Sequence, residues 1–117
     1  LEAFNARRRA NAAHLNAKIE SVITPKVKEG CGHVWHQYTV RVGGDRDGAA
    51  KKLNDAGVGT GIFYPVPAHK QEYMREIVGD CYLPVAERLA QEVLSLPVHP
   101  QLTEDDLAKI VAAVNEL

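Results

Sequence analysis

Two prolines one residue apart, Pro65 and Pro67, follow directly on the run Val58–Phe63, which reads as a strand. Proline has no N–H to give a sheet ladder, and its ring fixes φ. The pair therefore forces the chain off any sheet into a stiff, extended loop, Tyr64-Pro65-Val66-Pro67-Ala68-His69-Lys70-Gln71. That loop carries a phenol, Tyr64, and an imidazole, His69, to a strand's end. Polar side chains fixed on a loop beside a rigid sheet are a common way to build a binding site. The competing reading is a proline-rich strand exit with an incidental Tyr and His, and the spacing alone leaves both open.

The rest of the chain alternates between helical and extended patterns. Residues 2–19 read as a helix, with Phe4, Arg8, Ala12, Leu15 and Ile19 recurring at spacings of three or four. Arg8 lies along that stripe, its stem buried and its head in water. The run Arg7-Arg8-Arg9 is either a phosphate-binding patch or, more commonly, a solvated helix face. Pro25 breaks any helix in 21–29, and Gly30 and Gly32 make a turn around Cys31. The segment His33–Val42 alternates and is rich in β-formers. Val34, His36, Tyr38, Val40 and Val42 share the expected core face, where His36 and Tyr38 need hydrogen-bond partners. Asp45 or Asp47 caps a helix over 46–56, and Gly57 closes it. A second strand, Val58–Phe63, enters the proline loop, and a short helix covers about 71–78. Pro84 opens a helix over 85–92. Val93–Leu96 is a third strand, stopped by Pro97. Thr103 and Asp106 imitate a capping box for a last helix with the stripe Leu107, Ile110, Val111, Val114 and Leu117. The expected fold is α+β: a two-layer domain with a short, mainly antiparallel three-stranded sheet covered by helices on one face.

Composition narrows the chemistry. The 117 residues make one domain, 1–117, with 45% hydrophobic and 25% charged residues. A net charge of −1 gives no nucleic-acid footprint. No apolar run is long enough to span a membrane, and no secretory signal is visible. Cys31 and Cys81 have no metal-type spacing and read as reduced thiols of a cytoplasmic protein. His33 and His36, three apart on a strand, point to opposite faces and make a poor chelating pair, so no metal site is expected. The glycines around Val58 run from helix into strand, opposite to a phosphate cradle. Ser21 and Ser95 lack the nucleophile-elbow pattern, and no lysine stands out as a buried Schiff-base candidate. Residue chemistry alone thus describes a binding or accessory domain with no catalytic residue. The chain opens on Leu1, inside a helical pattern, and reads as a piece of something longer.

Five segments, in order, resemble the C-terminal part of the DegT/DnrJ/StrS family of sugar aminotransferases. They are Phe4-Asn5-Ala6-Arg7-Arg8-Arg9-Ala10-Asn11-Ala12, His33-Val34-Trp35-His36-Gln37-Tyr38-Thr39-Val40-Arg41, Gly57 through His69, Pro84-Val85-Ala86-Glu87, and Glu92-Val93-Leu94-Ser95-Leu96-Pro97-Val98-His99-Pro100. The departures are Ala68, where the family pattern has leucine, and Val58 for isoleucine. The resemblance implies the small domain of a fold-type I aminotransferase, with residues 1–20 as the helix leading in. It implies a parent enzyme that uses pyridoxal 5′-phosphate to move an amino group from an amino acid, usually glutamate, to a nucleotide-linked keto-sugar. It also implies a homodimer with active sites at the subunit interface. The cofactor-bearing lysine would belong to a large domain absent from this chain, so no cofactor is expected on these residues and the piece alone would be inactive. Tyr64 and His69 carry over as substrate-binding residues, and His99 is read as structural. A non-enzymatic binding or regulatory module related to the same family is the second implied reading.

Overall fold

The helix that frames the domain owes its length to an alanine-rich, proline-free sequence. In the computed structural model, which describes residues 1–117, this helix is α1 (Glu2–Lys18), and it ends where Ile19 turns extended. Ala12, Leu15 and Ile19 of the expected stripe are buried, while Phe4 is exposed and Arg8 only half-buried. The buried apolar side chains of α1 all fall in its second half and at its end. There, polar side chains stitch it to distant segments. Asn11 Nδ2 donates to the His99 carbonyl at 2.9 Å, and the Tyr38 hydroxyl donates to Asn16 Oδ1 at 2.6 Å. Just beyond the helix, the Ser21 hydroxyl donates to the Val114 carbonyl at 2.6 Å.

The sheet has two strands, β1 (Tyr38–Arg41) and β2 (Val93–Leu96), paired antiparallel with Tyr38 opposite Leu96 and Arg41 opposite Val93. A single bridge extends it on each side, Ile23 to Arg41 and Gly61 to Ser95. The expected third strand, Val58–Phe63, is therefore reduced to one bridging residue. The reason is local. Gly57, Gly59 and Gly61 leave few side chains to pack on a pleated surface, and the Thr60 N–H goes to Asn54 Oδ1 instead of a strand partner.

The first strand is also shorter than the alternation over 33–42 suggests. Trp35 adopts φ +53°, a left-handed conformation outside the extended range of a regular strand. Alternation cannot carry through such a residue. Tyr38, Val40 and Val42 are buried as expected, but Val34 and His36 are exposed and Trp35 is buried in their place. The indole packs on His33 and Tyr38, with ring centroids 4.2 and 5.6 Å apart.

The helices α2 (Arg46–Asp55), α3 (Glu72–Val78), α4 (Pro84–Glu92) and α5 (Glu104–Asn115) match their expected positions to within one residue at nearly every end. Asp45 caps α2 by accepting from the Gly48 N–H, and Gly57, at φ +77°, follows its end. Thr103 and Asp106 form a reciprocal capping box on α5. Tyr38 and Val40 share one sheet face with their partners Leu96 and Leu94. That face joins one core with Leu15, Leu53, Leu107, Ile110 and Val114 from α1, α2 and α5. The architecture is α+β, in two layers. On the opposite sheet face, Thr39 and Ser95 share a 2.8 Å hydroxyl contact, and Arg41 pairs with Glu92 at 2.7 Å. No helix is long and apolar enough to cross a membrane.

Leu15 is fully buried whereas Phe4 is 62% exposed. Leu15→Ala should cost about 2–5 kcal/mol of unfolding free energy, and Phe4→Ala less than about 0.5 kcal/mol. Urea unfolding of the two variants checks this. Equal losses would show that the first turns of α1 are packed after all.

Candidate functional site

The proline loop hangs from β2. Gly61 and Ser95 exchange both backbone hydrogen bonds, at 3.0 and 2.7 Å, and the chain then leaves the sheet through Phe63 and Tyr64. Pro67 leads into a single 3₁₀ turn, Ala68–Lys70, closed by the Lys70 N–H to the Pro67 carbonyl. Gln71 Nε2 reaches back to the Val66 carbonyl at 3.2 Å. These bonds brace the loop from within.

Tyr64 and His69 sit on this loop in opposite environments. Tyr64 is 73% exposed, its ring edge-on to Phe63 at 6.0 Å. His69 is buried, with Nε2 3.0 Å from Glu87 Oε1. Glu87 stands in the first turns of α4. It also accepts the Leu83 N–H at 3.0 Å and lies 3.5 Å from Lys70 Nζ. One carboxylate thus ties the loop to the start of the next helix. The His69 hydrogen bond, with help from the Leu83 N–H and Lys70, holds the Glu87 carboxyl below its ordinary range against a partial burial that opposes it. Sequence reasoning placed Glu87 in a motif but gave it no role, since its partner lies 18 residues away.

Two clefts flank Phe63. One, of about 300 Å³, is apolar: Tyr64, Val66, Pro67 and Ala68 face Ala86, Leu89 and Ala90 of α4. The other, of about 480 Å³, is the more polar in its side chains, with Arg8, His36, Gln37, Thr60 and His99 beside Phe63, Leu96 and Val98. Tyr64 lines the first, and His69 lines neither. The His99 backbone carbonyl accepts from Asn11, and His99 is exposed and lines the second cleft. Arg8, read as a solvated helix residue, also lines that cleft, as does His36, which leaves the core face when Trp35 breaks the strand. The buried Tyr38 phenol is pushed up in pKa by desolvation and donates to Asn16, so it is no proton source at neutral pH.

The residues present do not fit a covalently held aldehyde cofactor. Lys18, Lys26, Lys28, Lys51, Lys52 and Lys109 are exposed, and Lys70 is engaged by Glu87. Neither cleft beside Phe63 is lined by a lysine. The arrangement offers groups that can recognise and orient a ligand.

The Glu87 clasp has a pH signature. A carboxyl whose folded pKa is depressed contributes stability that is present above its ordinary value of 4.5 and lost as pH falls through the folded value. Wild-type stability should therefore decline below that value. Glu87→Gln should flatten part of the decline, leaving the share of Asp106, which is likewise depressed, first by its bond from the Thr103 N–H. Urea midpoints from about pH 7 to about pH 3 test this; parallel profiles for the two proteins would mean the clasp is not ionic.

The chain is 35% identical, over 99% of its length, to a pleiotropic regulatory protein of Geobacillus stearothermophilus, of which it covers 32%. It is 34% identical, over 98% of its length, to the dTDP-3-amino-3,6-dideoxy-alpha-D-galactopyranose transaminase of Aneurinibacillus thermoaerophilus, again covering 32%. Its fold superposes on DesV of S. venezuelae, a structure in complex with a ketimine intermediate, with a TM-score of 0.90 and 32% identity; the match covers 98% of this chain and 32% of that one. The chain spans about a third of the length of the curated relatives it matches. Residues 1–115 match the sequence profile of the DegT/DnrJ/EryC1/StrS aminotransferase family, and the chain belongs to that family.

Proposed function

We propose that this chain is the C-terminal small domain, residues 1–117 with 1–20 leading in, of an aminotransferase that uses pyridoxal 5′-phosphate. The parent moves an amino group from an amino acid, glutamate in the first instance, to a nucleotide-linked keto-sugar. This part supplies a wall of the substrate cleft. The observation that carries the reading is the family match over residues 1–115 in a chain whose proline loop turns Tyr64 outward from a pinned base.

Tyr64 offers a flat ring and a hydroxyl at the rim of an apolar groove, suited to a sugar or base edge. His69 is the pinned base: with Nε2 given to Glu87, Nδ1 is the nitrogen left to meet a hydroxyl or phosphate. The transfer itself runs on residues outside this chain, because the lysines here are solvated or paired. The parent is a cytoplasmic homodimer in this reading. A second reading is a regulatory module, favoured by the likeness to the pleiotropic regulatory protein. A lysine-bearing cofactor domain in the parent gene distinguishes the two.

In the parent-length enzyme, Tyr64→Ala and His69→Ala should each raise KM for the sugar nucleotide about tenfold, the loss of roughly 1.4 kcal/mol of binding. Cofactor absorbance should stay unchanged. Unaltered kinetics would remove the residue from the site. Added to the 117-residue chain alone, pyridoxal phosphate should give no specific imine band and no single borohydride-trapped adduct; either one would place the reactive amine here.

A further inference from the structure

The run Arg7-Arg8-Arg9 does not form one basic patch. Arg7 Nη2 donates to the Leu102 carbonyl at 3.1 Å, and Arg9 lies 4.0 Å from the Glu2 carboxylate. Arg8 instead lines the 480 Å³ cleft at the end of the sheet where Leu96–His99 leaves β2. Its Nη1 donates to the Trp35 carbonyl at 3.3 Å, which aims the guanidinium without neutralising it. No carboxylate pairs with Arg8, although every other arginine except Arg7 has an acidic partner within 4.0 Å. A guanidinium carries five donors in a rigid fork, so most of its capacity is unspent.

The surroundings have the same character. The cleft brings two imidazoles, His36 and His99, and the Gln37 carboxamide to the same space, and none of its 13 lining residues is an acid. Asn54 is not available, since its side chain bonds both the N–H and the hydroxyl of Thr60. Gly59 faces open space, leaving room for a ligand to approach the backbone. His99 bears electrostatically on Asp106, whose carboxylate is already held by the Thr103 cap. Donor groups with no carboxylate among them, around a fork that is positioned but unpaired, suit a planar or tetrahedral oxyanion. The chain's net charge of −1 shows that this local excess is no by-product of a basic surface.

We propose that this cleft is an oxyanion-binding site, with Arg8 as the anchor and His36, Gln37 and His99 as flanking donors. The ligand presents a phosphate or a carboxylate. In the transferase reading these come from a nucleotide diphosphate and an amino-acid donor respectively. Oxyanion capture needs neither cofactor nor reaction, so it can fail or hold independently of that reading.

The test follows the imidazole resonances of the 117-residue chain by NMR during separate titrations with inorganic phosphate, uridine diphosphate and glutamate. Sodium chloride of equal ionic strength is the control. The His36 and His99 signals should shift saturably with at least one probe and not with chloride, while the His14 signal stays fixed. Arg8→Gln should weaken binding at least tenfold, and Arg7→Gln should leave it unchanged. Because the Arg8 change removes the bond to Trp35, His36→Gln, at an exposed position, serves as a second variant and should weaken binding severalfold. Saturation by phosphate and uridine diphosphate identifies a phosphate site, and saturation by glutamate alone a carboxylate site. Shifts that merely track ionic strength, or undiminished binding by both Arg8→Gln and His36→Gln, would overturn the proposal.

Discussion

Both clefts of this domain depend on one short antiparallel pairing, Tyr38–Arg41 with Val93–Leu96. The partners lie far apart in sequence, and a two-stranded ribbon in water is marginal on its own. Here one face is covered: Tyr38, Val40, Leu94 and Leu96 are all nearly or fully buried in a core built with α1, α2 and α5. Burial of that face, at roughly 1.5–3 kcal/mol for each large apolar side chain, is what offsets the cost of closing so long a loop. The consequences for the site follow directly. Gly61 hangs on Ser95, so the proline loop starts from β2. The segment Leu96–His99 that lines the more polar cleft is the continuation of β2. Val93, at its other end, closes the apolar groove. Loosening this pairing would misplace both clefts at once.

The proline loop adds stiffness of a different origin. Pro65 and Pro67 restrict the unfolded chain as well as the folded one, so less conformational freedom is lost on ordering this segment than a loop of its length would lose. Glu87 then sets its orientation by binding the His69 ring and the Leu83 N–H together. A ligand meeting Tyr64 therefore meets a surface that is already arranged, which is how preorganisation raises affinity without further contacts.

Where an element is decided by neighbours in sequence, it was readable from the residues. The capping box of Thr103 and Asp106 and the apolar stripe behind it define α5 within one turn of chain, and Pro97 stops β2 where expected. Features decided by distant partners were not readable. The left-handed Trp35 gains its place by packing between His33 and Tyr38, and no alternation rule carries that information. The strand expected over 58–63 failed because its glycines offered nothing to pack and Asn54 took the Thr60 N–H. In the proline loop, residue type drew attention to Tyr64 and His69, but it could not say that one faces solvent and the other faces Glu87. Arg8 is a sharper case: its helical phase was legible, while the cleft it lines exists only because β2 runs on into His99 beneath α1.

The two clefts have the features of recognition surfaces. The Tyr38 phenol is buried and pushed up, which removes it from proton exchange at neutral pH, whereas Glu87 holds only Nε2 of the His69 ring. Nucleophilic attack needs an activated amine or hydroxyl. The lysines are solvated or paired, and the Ser95 hydroxyl shares its hydrogen bond with Thr39. What remains is a pair of unlike surfaces on either side of Phe63: an apolar groove with an exposed phenol at its edge, and a donor-rich cleft without acids. A ligand with a ring to stack and an anion to anchor could use both, whereas a purely apolar or purely ionic one could use only half. That division gives the geometry a preference for composite ligands, and the preference arises from packing alone, before any reacting group is supplied.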